Sequence, residues 1–300
     1  MRPVSRGWRL LGALLCLLTV AIAACGGTGT STAAPDDLVT SQDPGPVATD
    51  PATAPPTVPP ATMPDGPLPV AKRVLMVGDS GMVDLSAAMA PMFLAAGADV
   101  AERDGLMGLG LHGIAFSDEP SPWPRIWGEA IDRLDPDLVI GVMGGWDARF
   151  LDSRGLVPYT QLVHDATALL SSKGAKVVWL SPLPGGEKDL PERLTEAYAA
   201  MPAEFPGVAY FMDSRPALTD PTGAVPGRYV ESDGTTVLLR KADDWHLCQD
   251  GAIRLAKLVN QWTVAWRLAS PAAPGWEKGP WWDDSTYDGN MCWPHGAWRS

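Results

Sequence analysis

Arg73-Val74-Leu75-Met76-Val77-Gly78-Asp79-Ser80 is the stretch on which the reading of this chain turns. A short continuous apolar run stopped by glycine predicts a strand buried on both faces, followed by a turn that carries Ser80. Runs of the same character occur at residues 137–143 (DLVIGVM) and 175–180 (AKVVWL), with a weaker one at 208–211 and a short fifth at 99–101. Helical patterns lie between and after them, at residues 82–95, 123–134, 159–173, 190–200 and 250–268. In the second of these, Trp123, Trp127, Ala130, Ile131 and Leu134 share one side. Strands alternating with helices of this size predict an α/β domain, a three-layer α/β/α sandwich around a mostly parallel sheet. Function in such sheets gathers at the carboxyl ends of the strands, where Ser80, the Gly144-Gly145-Trp146-Asp147 loop and the Ser181-Pro182 turn all fall.

The rest of the chain places this domain. Arg2, Arg6 and Arg9 precede an uncharged apolar run that ends in Ala21-Ile22-Ala23-Ala24-Cys25, the layout of an export signal over residues 1–24. No Arg-Arg pair occurs there, which favours the general secretory route. Ile22-Ala23-Ala24-Cys25-Gly26 resembles a bacterial lipobox, which implies that Cys25 is lipidated and becomes the mature N-terminus; ordinary cleavage after a small residue is the alternative. Residues 25–71 are rich in Pro, Thr and Ala with few large apolar side chains, and are expected to be a disordered tether. Residues 72–300 then suffice for one domain. The expected location is the extracytoplasmic face of the cell membrane, through the lipid, or the secreted fraction.

The formal charge of −12 becomes about −15 once Arg2, Arg6 and Arg9 leave with the signal. Such an acidic chain argues against nucleic acid as a partner. Cys16 belongs to the signal and Cys25 to the lipobox, so Cys248 and Cys292 are the one pair left in the domain. Outside the cytoplasm they are expected to form a disulfide, the alternative being two separate buried thiols.

A serine hydroxyl is a weak nucleophile until a base takes its proton and a third group orients that base. Ser80 sits between a strand and a helix, where its own N–H helps form an anion site. Far downstream, Asp243-Asp244-Trp245-His246 offers the base His246 and, three residues earlier, Asp243 as its orienter; Asp244 is the second choice. Each signal is weak alone, and the three together point to a serine hydrolase.

Over residues 73–268 the chain resembles the SGNH hydrolase superfamily, the GDSL esterases and lipases. Gly78-Asp79-Ser80 corresponds to the first block of that family, although Gly81 stands where leucine is usual, and Asp243 with His246 corresponds to the last. The resemblance implies a flavodoxin-like sheet, the triad Ser80, Asp243 and His246, and no metal or organic cofactor. It also implies an oxyanion hole built from the N–H groups of Ser80 and of a glycine in Gly105-Leu106-Met107-Gly108-Leu109-Gly110, with Gly108 preferred to Gly110. The third family block is usually Gly-x-Asn-Asp, but here it is Gly144-Gly145-Trp146-Asp147. Trp146 replaces the asparagine donor with a single indole N–H. That variant resembles the SGNH domains attached to bacterial membrane acyltransferases that modify surface polysaccharides. It implies short acyl esters of envelope glycans as substrates and a membrane acyltransferase as partner. A non-catalytic glycan-binding lipoprotein and a lipase-like esterase are the alternatives.

Other residues draw plainer expectations. Asp79 is expected to shape the nucleophile turn, and Asp147 either to hold its loop or to face the cleft. His112 and His164 lack partners at metal-ligand spacing and are expected to be satisfied or solvent-facing. Of the 13 tryptophans only Trp8 precedes residue 72. Trp262 and Trp266, four apart, read as a core stripe, and the Trp-rich tail as a segment folded over the domain through Cys292. Residues 212–240 are the candidate lid.

Overall fold

Alternation along β1 (Arg73–Gly78) sends Val74 and Met76 into one apolar layer and Leu75 and Val77 into the other. The same alternation repeats in β3 (Leu138–Val142), with Ile140 and Val139 on opposite faces. It recurs in β4 (Lys176–Leu180), where Val178 and Leu180 oppose Val177 and Trp179. Each such side chain, fully buried, contributes roughly 1.5–3 kcal/mol, which is why these three strands form the centre of the sheet. The computed structural model describes residues 70–117, 119–185, 190–220, 222–230, 232–283, 285–287 and Cys292. The export signal, Cys25 and nearly all of the expected tether lie outside these residues.

β2 (Val100–Gly105) and β5 (Ala209–Met212) complete a five-stranded sheet in the order β2-β1-β3-β4-β5, every neighbouring pair parallel. This is the expected flavodoxin-like α/β/α arrangement. On one face lie α1 (Ser80–Ala95) and α7 (Gln249–Ala265); on the other lie α2 (Trp123–Leu134), α4 (Leu156–Leu170) and α5 (Leu190–Glu204). The apolar side of α2 buries Trp123, Trp127, Ala130 and Ile131 as its spacing predicts. Trp262 is buried in the opposite layer with Trp266 packed against it.

Three regions differ from the sequence reading or add to it. β2 is six residues long, although Glu102, Arg103 and Asp104 interrupt its apolar character; as an edge strand it exposes one side. A seven-residue helix, α3 (Ala148–Arg154), follows the third block directly and is divided from α4 by Gly155. The candidate lid contains a short helix, α6 (Arg215–Leu218), and a two-stranded antiparallel ribbon of β6 (Arg228–Val230) and β7 (Thr236–Leu238).

Cys248 and Cys292 form a disulfide, with Cα atoms 5.4 Å apart. It joins the start of α7 to the tail segment, whose Tyr287 is buried against α1. Trp281 packs partly buried in the same layer, while Trp293 and Trp298 lie outside the described residues.

Candidate active site

Ser80 is the first residue of α1 and only 5% exposed. The turn that delivers it is tight: a Cβ on Gly78 would stand 2.0 Å from the Val142 carbonyl oxygen of β3, so no other side chain fits. Asp79 locks that turn to the neighbouring strand end. Its Oδ1 accepts the Gly81 N–H at 2.8 Å, and its Oδ2 accepts those of Gly144 and Gly145 at 2.9 and 3.0 Å. Burial pushes the Asp79 carboxyl up to about 6, against the pull of these three amides. The expected role for Asp79 is therefore the one observed.

The third block presents Trp146 beside the second. Gly108 has a left-handed backbone (φ 75°), and the indole Nε1 of Trp146 lies 3.8 Å from where a Cβ on Gly108 would stand. Neither the Ser80 nor the Gly108 amide donates to a described acceptor, whereas the Gly110 N–H is bonded to Gly113 O at 2.8 Å. The Gly110 N–H is thus already engaged, while that of Gly108 is open to an acceptor. Phe116 packs edge-on against Trp146 with ring centroids 4.8 Å apart.

Asp147 turns away from this cleft. Fully buried, it accepts the N–H groups of Leu111 and His112 at 3.0 and 3.3 Å and the Tyr159 hydroxyl at 3.0 Å. The His112 ring meets it at 2.6 Å through Nδ1. It holds the second block to the third, and the His112 ring is satisfied at Nδ1. Tyr159 and Tyr198, bonded to each other beneath it, are pushed well above the usual phenol range by burial and then by the Asp147 charge. His164 is a surface residue beside Asp165 and Gln161.

The last block closes on itself. Asp243 Oδ1 accepts the N–H groups of Trp245 and His246 at 3.0 and 2.9 Å, and Oδ2 meets His246 Nδ1 at 2.6 Å. Partial burial pushes the Asp243 carboxyl up, but the His246 ring and the two amides outweigh it and hold it below the usual range. Asp244, in left-handed conformation (φ 58°), makes no such bond to the ring, so of the two acids it is Asp243 that holds the imidazole. With Nδ1–H facing a carboxylate, Nε2 carries the lone pair a base needs. Among the described residues Nε2 is buried with no hydrogen-bond partner, so it is not bonded to Ser80 Oγ in this structure. Catalytic hydrogen bonds commonly tighten only once substrate is bound.

One residue that the motifs do not disclose ties the His246 loop to the helix that begins at Ser80. Asp84, one turn beyond Ser80, accepts the Leu247 N–H at 2.9 Å and the Lys241 ammonium at 2.8 Å. The backbone carbonyl of Asp84 accepts the Tyr287 hydroxyl at 2.5 Å, and Lys241 also reaches Thr286 O. Burial raises the Asp84 carboxyl, with Lys241 and then His246 pulling it down. An acid inside the otherwise apolar Met82-Val83-Asp84-Leu85 was the available signal. Its partners lie 157 and 163 positions away, beyond any spacing rule. Arg240 is likewise buried and donates from Nη1 to Trp245 O at 2.8 Å, keeping the loop's shape. Among the described residues no group of three or more His, Cys, Asp and Glu is arranged to hold a metal ion.

Solved structures with a similar chain path include a carbohydrate acetylesterase family member from Sinorhizobium meliloti, at 15% identity and TM-score 0.46 over 65% of this chain and 99% of that one. The native aryl esterase of M. smegmatis matches at 16% identity and TM-score 0.45, over 64% and 97%. A lipase/acylhydrolase from Enterococcus faecalis matches at 16% and 0.48, over 66% and 98%. Likenesses of this size do not decide an activity. No curated protein matches the sequence. A family model described as "Protein of unknown function (DUF459)" matches residues 73–262 of the 300, and the chain belongs to that family.

Proposed function

We propose that the chain is an extracytoplasmic serine esterase or O-acyltransferase of the SGNH type, acting on short acyl esters of cell-envelope glycans. The observation that carries this reading is the His246 ring, fixed by Asp243 through Nδ1 and left with an unbonded, buried Nε2. Asp84 on the Ser80 helix holds the loop that bears it. In the reaction, Nε2 takes the proton of Ser80 Oγ as the oxygen attacks the acyl carbonyl carbon. The charge that develops on the carbonyl oxygen meets the N–H groups of Ser80 and Gly108 and the indole N–H of Trp146. His246 then gives its proton to the departing alcohol, leaving an acyl-enzyme on Ser80. Water or a sugar hydroxyl, deprotonated in turn by His246, takes the acyl group and restores Ser80.

An acidic chain whose first residues read as an export signal ending at a lipobox-like Cys25 supports an envelope location, a tethered enzyme and a membrane acyltransferase as partner. Short acyl groups are preferred to lipids because the third block resembles that of glycan-modifying domains. Hydrolysis of p-nitrophenyl acetate by the purified domain, set beside p-nitrophenyl palmitate and the Ser80→Ala variant, tests the reading. Turnover of acetate that disappears with Ser80 supports it. Preference for palmitate points to the lipase-like alternative, and no Ser80-dependent turnover of either points to a binding protein.

A further inference from the structure

We propose that three residues of the tail, Thr286, Tyr287 and Cys292, are positioning residues for the base: they fasten the His246 loop to the helix that begins at Ser80. This rests on the serine esterase or transferase reading above. The loop is a narrow hairpin. Arg240 and Leu247 pair across its neck, and the Lys241 N–H donates to His246 O at 2.8 Å, so Lys241 is the residue that faces the base. Both sides of this neck are tied to the tail. On one side the Lys241 ammonium donates to Thr286 O at 2.8 Å; on the other, Cys248, just beyond His246, is joined to Cys292 by the disulfide. Tyr287 brings in the helix. Its hydroxyl donates to Asp84 O at 2.5 Å, and its ring centre lies 6.0 Å from Lys241 Nζ, within reach of a cation–π contact.

The imidazole does not set its own distance from Ser80. Asp243 fixes the tautomer from within the same loop, and Nε2 has no hydrogen-bond partner among the described residues. Where Nε2 stands is therefore decided by what holds the loop. From the sheet side Trp245 does so, with its indole Nε1 3.3 Å from where a Cβ on Gly145 would stand. From the α1 side the hold comes through Asp84, which accepts the Leu247 N–H and the Lys241 ammonium, and through the tail. A misplacement of about 1 Å at a reacting group can cost about a hundredfold in rate.

Two hydrogen bonds do not by themselves keep such a segment in place, because every residue that is ordered loses backbone freedom. The disulfide offsets that loss. It joins residues 44 positions apart and removes the arrangements in which Thr286 and Tyr287 stand away from their partners. The contact is also packed rather than superficial: Cys248, Tyr287 and Cys292 are all buried, in the same apolar layer as α1 and α7.

The test uses Tyr287→Phe, which removes one hydroxyl, and Cys292→Ala, which unfastens the tail, each measured well below its own melting temperature. On p-nitrophenyl acetate a positioning role predicts that kcat falls about tenfold to a hundredfold in Cys292→Ala and about threefold in Tyr287→Phe, with KM within about twofold of wild type. Should Cys292→Ala fail to fold, the milder Tyr287→Phe carries the comparison. A kcat within about twofold of wild type in every folded variant overturns the role, and so does a loss carried by KM alone. Amide hydrogen exchange is read separately from catalysis, comparing peptides over residues 241–248 with those over β1, β3 and β4. Exchange that quickens severalfold in the loop while the strands keep their wild-type rates is the expected result. If the wild type turns over no ester, that result still upholds the hold on the loop, and the catalytic reading alone fails. Exchange unchanged in the loop, or quickened equally in the strands, overturns the proposal.

Discussion

Replacing Asp243 by asparagine tests the orientation of the base with little change of shape. Two amides, of Trp245 and His246, donate to Asp243 Oδ1, so the carboxamide oxygen must occupy that position. Its NH2 then faces His246 Nδ1 where Oδ2 stood 2.6 Å away. The ring answers by placing its lone pair on Nδ1 and its proton on Nε2, and a protonated Nε2 cannot accept the Ser80 proton. The wrong tautomer costs about 10⁴ in kcat, or about 5.4 kcal/mol at 1.36 kcal/mol per tenfold. Stability should change by only about 1 kcal/mol, because both amide bonds survive and the third is partly solvated. The assay is kcat on p-nitrophenyl acetate beside a thermal melt, with Asp244→Asn as control. Asp244 is left-handed, which asparagine tolerates, so that control should keep wild-type activity. Activity of Asp243→Asn within about tenfold of wild type, with the fold intact, refutes Asp243 as the orienter.

Further outcomes follow from the same contacts. Trp146→Phe keeps the ring against Phe116 but removes the indole N–H; kcat should fall about 10²–10³-fold with the melting temperature nearly unchanged, and an unchanged kcat would exclude Trp146 as an oxyanion donor. Asp84→Ala takes the carboxylate from the Lys241 ammonium, 11% exposed, which keeps only the neutral Thr286 O, and leaves the Leu247 N–H without its acceptor; denaturant titration should show a loss of about 3–5 kcal/mol, and a loss below about 1 kcal/mol would contradict the pairing. Asp79 titrates near 6 in the folded chain against 3.8 ordinarily, so between those values the unfolded state binds fewer protons than the folded one. Stability should therefore fall as pH rises from about 4 to about 6, by on the order of 3 kcal/mol from this group. Denaturation curves of the wild type and Asp79→Asn that run parallel across that window would refute it.

The central strands were legible because a parallel strand buried on both faces needs a continuous apolar run, and Val74–Val77 and Leu138–Val142 supply one. β2 was read short because Glu102, Arg103 and Asp104 are tolerated only at the sheet edge, a position that sequence does not announce. α3 went unread because seven residues hold too few apolar repeats to show a helical period beside α4. At the site, the pairing of Asp243 with His246 was legible because the two lie three residues apart in one tight loop. The contacts of Asp84 with Lys241 and of Asp147 with His112 were not, since each is made by folding distant segments together.

The most direct measurement is the site of covalent modification by a serine-reactive fluorophosphonate, mapped by peptide mass spectrometry. The account predicts one adduct, on Ser80, that is lost in His246→Ala and strongly reduced in Asp243→Asn. An unmodified Ser80 in the folded wild type, or labelling of Ser80 that does not depend on His246, would contradict it.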